Sequence, residues 1–410
     1  MVAKALSRAR SALEGYPRQF WVLFWGMLVN AAGVTLVWPF MTIYLRERLE
    51  VPLTTVTLLM TVNSIAGLAA VSVVGPLVDR FGRKGPMVVG LAAGSAVRAV
   101  MPLAGTLPVW IGLMALQGGL APLYQVGADA MIADLVPAER RPGAYALLRT
   151  ISNLGYAIGP AIGGFVATAS YTLAFLLAAG ATAVYALMIL VLAHETIPRK
   201  QPAGSEGRIE GSPNAESRGG YGPVLRDRRF LAFCGLYALT GIAPWSGMML
   251  LPVYAKEQFG VPESQSGFLI STNAAMVVLF QYLVTLRTRR YAPGPVLAVG
   301  ALLFGLGAGS VALGGGFWPF WVSMVLLTVG ELVTLPTGMA LAARLAPAEM
   351  RGRYMGLFSL SWAIAGGLGP VLGGVLSDRV APVATWYGGL AAGMVGAVGY
   401  ALLSGRLKEG

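Results

Sequence analysis

Residues 53–84 read LTTVTLLMTVNSIAGLAAVSVVGPLVDRFGRK. From Leu53 to Val78 there is no charge; Asp79, Arg80, Arg83 and Lys84 then follow within a few positions. A helix that crosses a bilayer needs about 20 mainly apolar residues, because lipid offers no partner to an open backbone group. The stretch reads as one such helix running into a cationic loop. The same window finds further segments at about 20–45, 85–105, 109–134, 143–168 and 171–194. Six more follow at about 230–255, 266–286, 293–314, 317–343, 353–377 and 383–405.

Composition agrees. Of the 410 residues, 56% are apolar and 12% charged, against roughly 25% charged in a soluble domain. So little charge cannot cover a globular surface. Glycine, at 55 residues, shows no collagen period, and the apolar content excludes disorder. The fold class is an all-α integral membrane protein with twelve helices. Cys234 is the one cysteine and His194 the one histidine, so neither an intramolecular disulfide nor a His-rich metal site is available. The first apolar stretch exceeds the roughly 7–15-residue core of a cleavable signal and reads as a retained helix. Lys4, Arg8, Arg10 and Arg18 before it suggest an amphipathic lead-in.

The net charge of +12 sits in loops. One face collects Arg80, Arg83, Lys84, Arg140, Arg141, Arg287, Arg289, Arg290, Arg344, Arg351, Arg353, Arg406 and Lys408. The other has only Arg46, Arg48, Lys256 and Arg379. The positive-inside rule then puts both termini in the cytoplasm, with the chain in the inner (plasma) membrane and no role for nucleic acid. Residues 195–229, rich in Gly and Ser, read as a cytoplasmic linker between six-helix bundles at 1–194 and 230–410.

The bundles are repeats. An offset of 210 residues joins Tyr44 to Tyr254, Val51-Pro52 to Val261-Pro262, Asn63 to Asn273, and Pro137-Ala138-Glu139 to Pro347-Ala348-Glu349. It also joins Gly159-Pro160 to Gly369-Pro370 and Gly163-Gly164 to Gly373-Gly374. With an even number of spans per copy, the repeats run parallel. Two such halves about a midplane site suit alternating access.

The loop Gly75-Pro-Leu-Val-Asp79-Arg80-Phe-Gly82-Arg83-Lys84 resembles the signature G-x-L-x-D-R-x-G-R-K of the major facilitator superfamily. That resemblance implies a conformational latch made by Gly75, Asp79, Arg80, Gly82, Arg83 and Lys84, completed by Asp129. Asp134, nearer the loop, reads as solvated. Helix five carries Gly155-x-x-x-Gly159-Pro160-x-x-Gly163-Gly164. Small residues at this spacing let helices approach closely, and Pro160 permits a kink. The pattern resembles the superfamily's antiporter motif, and Gly369-Pro370-Val-Leu-Gly373-Gly374 repeats it, so that the two form a pair of hinges. The drug-antiporter pattern R-x-x-Q-G in helix four would put arginine where this chain has Met114, before Gln117-Gly118.

Glu331 falls about 21 Å into helix ten at 1.5 Å per residue, near the middle of the bilayer. An ionised carboxylate there costs several kcal/mol unless paired, so its neutral form competes near physiological pH and the group can carry a proton. The segment Gly330-Glu331-Leu-Val-Thr-Leu-Pro336 resembles helix ten of multidrug:proton antiporters. Arg98 is the other embedded charge: pairing with an acid, lining the lumen and snorkelling outward are all compatible with its position. By resemblance, helices one, four, seven and ten line the cavity. They contribute Asn30, Trp38, Gln117, Tyr124, Tyr237 and Trp245, with Asn63, Asn273 and Trp362 on adjacent helices.

The reading is a monomeric secondary transporter of the 12-helix drug:proton antiporter type. It exports small lipophilic, including cationic, compounds in exchange for protons, among membrane lipids and without a cofactor. A proton-coupled symporter or lysophospholipid carrier of the same fold is the alternative. An enzyme is disfavoured because H-E-x-x-H and the phosphate-binding GxxxxGK[ST] are both missing, and the repeated halves disfavour a receptor.

Overall fold

The computed structural model describes residues 15–197 and 222–407. Among these, every regular element is helical. The spans are α1 (Arg18–Leu49), α2 (Leu53–Phe81), α3 (Lys84–Leu103), α4 (Leu107–Leu135), α5 (Arg141–Ala169) and α6 (Tyr171–Leu192). They continue with α7 (Arg228–Phe259), α8 (Glu263–Thr288), α9 (Pro293–Leu313), α10 (Phe317–Leu345), α11 (Arg351–Arg379) and α12 (Ala384–Leu407). The chain is thus an all-α, multi-pass membrane protein. The lead-in at Lys4, Arg8 and Arg10 and most of the 195–229 linker lie outside the described residues. At the linker's end, the short helix Gly222–Arg226 seats Val224 in the core.

Eleven of these helices are long and apolar enough to cross a membrane. The exception is α5, which has the length at 29 residues but not the hydropathy. Arg149, Ser152 and Asn153 load its first half with polar groups.

Helix ends follow local chemistry. Glu50, at φ 50°, turns the chain out of α1 ahead of Val51-Pro52. Gly82, at φ +95°, makes the reversal between α2 and α3, a conformation with little cost only for glycine. Arg141 folds back over the end of α4. Its Nη2 donates to the Ala133 carbonyl at 2.7 Å and its Nε to that of Val136 at 3.0 Å, capping orphan carbonyls where a cation also suits the helix dipole. Asp227 caps α7 by accepting from Phe230 N at 3.0 Å, and its other oxygen accepts from the Tyr354 hydroxyl.

The described chain forms two compact units. The first holds the described residues up to Glu50, Leu59–Ile197 and Glu263–Val278. The second holds Val51–Leu58, the described residues from 222 to Pro262, and those from Leu279 on. The beginnings of α2 and α8 thus group with the opposite repeat. Glycine explains the exchange. In the first unit, a Cβ on Gly164 would strike Ser264 Cα and the Glu263 backbone, so α5 and α8 meet backbone to backbone. In the second, a Cβ on Gly374 would meet Thr54 Cα and N at 3.1 Å, joining α11 to α2. Residues 54 and 264 differ by the same 210 positions as Gly164 and Gly374, so one contact is made twice.

Candidate functional site

Within the first unit, residues of α1 to α6 line a half-open cavity of about 770 Å³, inside the roughly 300–1,000 Å³ range of small-molecule sites. Tyr145, Arg149, Ser152 and Tyr156 line it from α5. Their spacing puts them on one helical face, which accounts for the low hydropathy of that helix. Asn30, Asn63, Gln117 and Tyr124 line it as well. Asn63 Nδ2 also donates to the Met114 carbonyl at 3.1 Å, clasping α2 to α4. The Tyr124 hydroxyl is turned into the core, 3.2 Å from that of Tyr185.

Arg98 lines the cavity instead of snorkelling, and among the described residues no acid pairs with it. Its Nη1 donates to Thr182 Oγ1 at 3.0 Å. With the Gln117 amide oriented by its surroundings, Nη2 donates to Gln117 Oε1 at 2.9 Å, and the amide nitrogen donates to the Gly94 carbonyl at 3.2 Å. Thr182 Oγ1 lies 3.2 Å from Asn30 Oδ1. The guanidinium missing at Met114 therefore reaches Gln117 from α3 instead. Thr182 escaped the sequence reading because its partners, Arg98 and Asn30, lie on other helices; Gln125 and Arg149, which also line the cavity, carry no motif that marks them.

The remaining cavity candidates sit elsewhere. Trp38, half-buried, lies in the 3-10 turn that interrupts α1 and does not line this cavity. Tyr237, Trp245 and Trp362 form an aromatic row in the second unit, with ring centroids 5.8 Å apart for Tyr237–Trp362 and 5.9 Å for Trp245–Trp362. Tyr237 is buried against Phe233 and Phe358, so it builds a core of the second unit. Asn273 is buried in α8. Glu331 is half-buried in α10, close enough to Tyr237 for the two to interact electrostatically. A turn on, Pro336 has no N–H to offer the Leu332 carbonyl. Gln281 of α8 fills the gap, its Nε2 donating to Leu332 O at 3.1 Å.

The loop cluster closes differently from the expectation. Arg83 Nε donates to Asp134 Oδ2 at 3.1 Å, and Arg83 Nη1 lies 3.7 Å from Asp79 Oδ1. Asp129 is not on Arg83. It lines the cavity and accepts from Gln125 at 3.2 Å. Five residues separate Asp129 from Asp134, about 140° around the helix, so the two cannot share a face. Glu195 completes the cluster, taking the Arg83 and Lys84 amides at 2.8 and 3.0 Å. Partial burial pushes the Glu195 carboxyl up, but the amides of Arg83, Ile197, Lys84 and Thr196 outweigh this and hold it below its ordinary value.

The stripe Gly155, Gly159 and Gly163 runs along α1. A Cβ on Gly155 would meet Ala32 N and Leu28 O, one on Gly159 would meet Ala32 O, and one on Gly163 would strike the Leu36 backbone. Gly369 lies against the Ile242 backbone of α7, with Cβ contacts from 3.2 Å, and Gly373 packs on Leu250 and Thr385. Pro160 and Pro370 are both buried inside their helices. Gly75 has open space around it.

The model of the Major Facilitator Superfamily matches residues 23–370 and 233–409. A Na(+), Li(+), K(+)/H(+) antiporter of Planococcus maritimus is 28% identical over 383 residues, covering 86% of each chain. The multidrug resistance protein MdtH of Shigella boydii is 25% identical over 305 residues, 74% of this chain and 72% of its own. Among solved structures, a POT family transporter in complex with a thioalcohol-conjugated peptide superposes with a TM-score of 0.77 at 18% identity, over 96% of this chain and 97% of that one. With twelve helices, repeated halves and the loop signature in place, the chain belongs to the major facilitator superfamily and is a transporter, not an enzyme.

Proposed function

We propose that the protein is a proton-driven antiporter that exports lipophilic compounds across the plasma membrane by alternating access, working as a monomer with both termini in the cytoplasm. The observation that carries the reading is Glu331: a carboxylate deep in a membrane-crossing helix, half-buried and beside the buried ring of Tyr237. Ionised, it costs several kcal/mol in that setting; protonated, it does not. A proton taken up from outside and released inside would be exchanged for cargo moving the other way. Arg83 with Asp79 and Asp134 would latch the loop between α2 and α3 in one state of the cycle. The paired Gly-Pro motifs of α5 and α11 would act as hinges. The antiporter and multidrug names of the relatives support this direction.

The test is a lipophilic fluorescent probe in proteoliposomes under an imposed pH gradient. Wild type should drive probe movement that collapses with the gradient. Glu331→Gln should lose it at least tenfold while still exchanging probe down its own gradient. Undiminished gradient-driven movement in that variant would overturn the assignment.

A further inference from the structure

Arg98 presents a cation to the cavity with neutral groups around it. Its two hydrogen bonds go to a hydroxyl and an amide oxygen, Thr182 Oγ1 and Gln117 Oε1. Among the described residues no Asp or Glu oxygen lies within 4 Å of its guanidinium. A guanidinium has five N–H donors in a fixed fork, so three remain for something in the cavity. Taking such a charge out of water without a counter-charge costs several kcal/mol, a poor choice for structure alone.

The surroundings point the same way. Thr182 and Gln117 are buried, at 1% and 9% exposure, and hold the fork in place from two further helices. Thr182 is itself tied to the Ala178 carbonyl at 3.1 Å, and Gln117 to that of Gly94. A second guanidinium, Arg149, shares the cavity wall, against the single carboxylate of Asp129. Much of the rest is apolar, including Val34, Leu91 and Leu148.

We infer that Arg98 is the anion-recognising end of this cavity and that the cargo is an amphiphilic anion. A carboxylate or similar oxyanion would seat on the fork, while an apolar body lies along α1, α3 and α5. Paired N–H groups match a carboxylate bidentately, which an ammonium cannot do. This names the cargo class of the transporter proposed above and rests on that reading.

The experiment is equilibrium binding to the purified full chain in detergent, with no pH gradient, so its outcome is independent of coupling through Glu331. The probes are biphenyl-4-carboxylate and laurate, their methyl esters, and dodecylammonium, all below micellar concentration. Wild type should bind at least one carboxylate tenfold or more tighter than its ester and than the ammonium. A preference for laurate assigns a lipid-derived cargo; a preference for the biphenyl acid assigns a small aromatic one. Arg98→Gln should erase the acid–ester difference and Arg98→Lys should keep part of it. Should Arg98→Gln not fold, wild type answers alone: the bound carboxylate, not its ester, should slow phenylglyoxal modification of Arg98. Equal binding of acid and ester by wild type, or an undiminished difference in Arg98→Gln, overturns the inference.

Discussion

Arg83 has two carboxylates within reach, and they differ in setting. Asp79 is 77% exposed and Asp134 26%. An ion pair in water is worth about 0–1 kcal/mol, whereas Asp134 is less exposed, meets Arg83 at 3.1 Å and also accepts from Thr196 Oγ1 at 2.9 Å. Asp134→Asn should therefore lower the melting temperature in detergent by several degrees, and Asp79→Asn by about one degree or less. Glu195 adds a pH dependence. Its folded-state carboxyl titrates below the ordinary value of 4.5. Its contribution is then complete above that value and is lost as pH falls through the lower folded-state one. Melting of wild type and Glu195→Gln should differ at pH 6 and converge as the pH drops below 4.5. A difference that grows on acidification would contradict the assignment.

Between helices, two devices recur: backbone contact through glycine, and side chains that repair what proline opens. Gly163 touches the Leu36 backbone, which cannot yield as a flexible side chain would, whereas Gly180 in α6 has open space around it. Gly163→Ala should cost about 2–4 kcal/mol, in the range of severe overpacking. Gly180→Ala should be neutral or slightly stabilising through helix propensity. Thermal melts of the two variants side by side check this. Gln281→Leu should cost about 1–2 kcal/mol by orphaning the Leu332 carbonyl. In a Pro336→Ala background, residue 336 regains its own N–H for that carbonyl, so the cost of Gln281→Leu should fall towards zero. An equal cost in both backgrounds would mean that the bond contributes nothing.

At the scale of the molecule, Asp378 holds the start of α2 to the end of α11. It accepts from Leu53 N at 3.2 Å and from Thr54 N and Oγ1 at 2.7 Å. In the first unit the Tyr171 hydroxyl donates to Glu263 at 2.6 Å, at the start of α8. Leu53 and Glu263 are equivalent under the 210-residue repeat, so both copies tie the same helix end by different chemistry. Asp378→Ala should cost about 0.5–2 kcal/mol, as loss of a helix cap does, read as a lower melting temperature. The twelve helices, the repeat and the glycine contacts were legible because hydropathy windows, a fixed offset and small-residue spacing are local or periodic signals. Asp134 in place of Asp129, and Arg98 on Thr182, were not. Which face of a helix a charge occupies, and what stands opposite it 84 residues on, depends on packing that no motif encodes.

The proposed exchange of cargo for a proton carried by Glu331 is open to direct measurement. Proteoliposomes holding the pH dye pyranine, with cargo applied to one side and no imposed gradient, report that exchange directly. Wild type should move protons opposite to cargo, saturably, and Glu331→Gln should move cargo with no proton signal. A proton signal of wild-type size in Glu331→Gln, or cargo transport by wild type with no proton movement, would contradict the account.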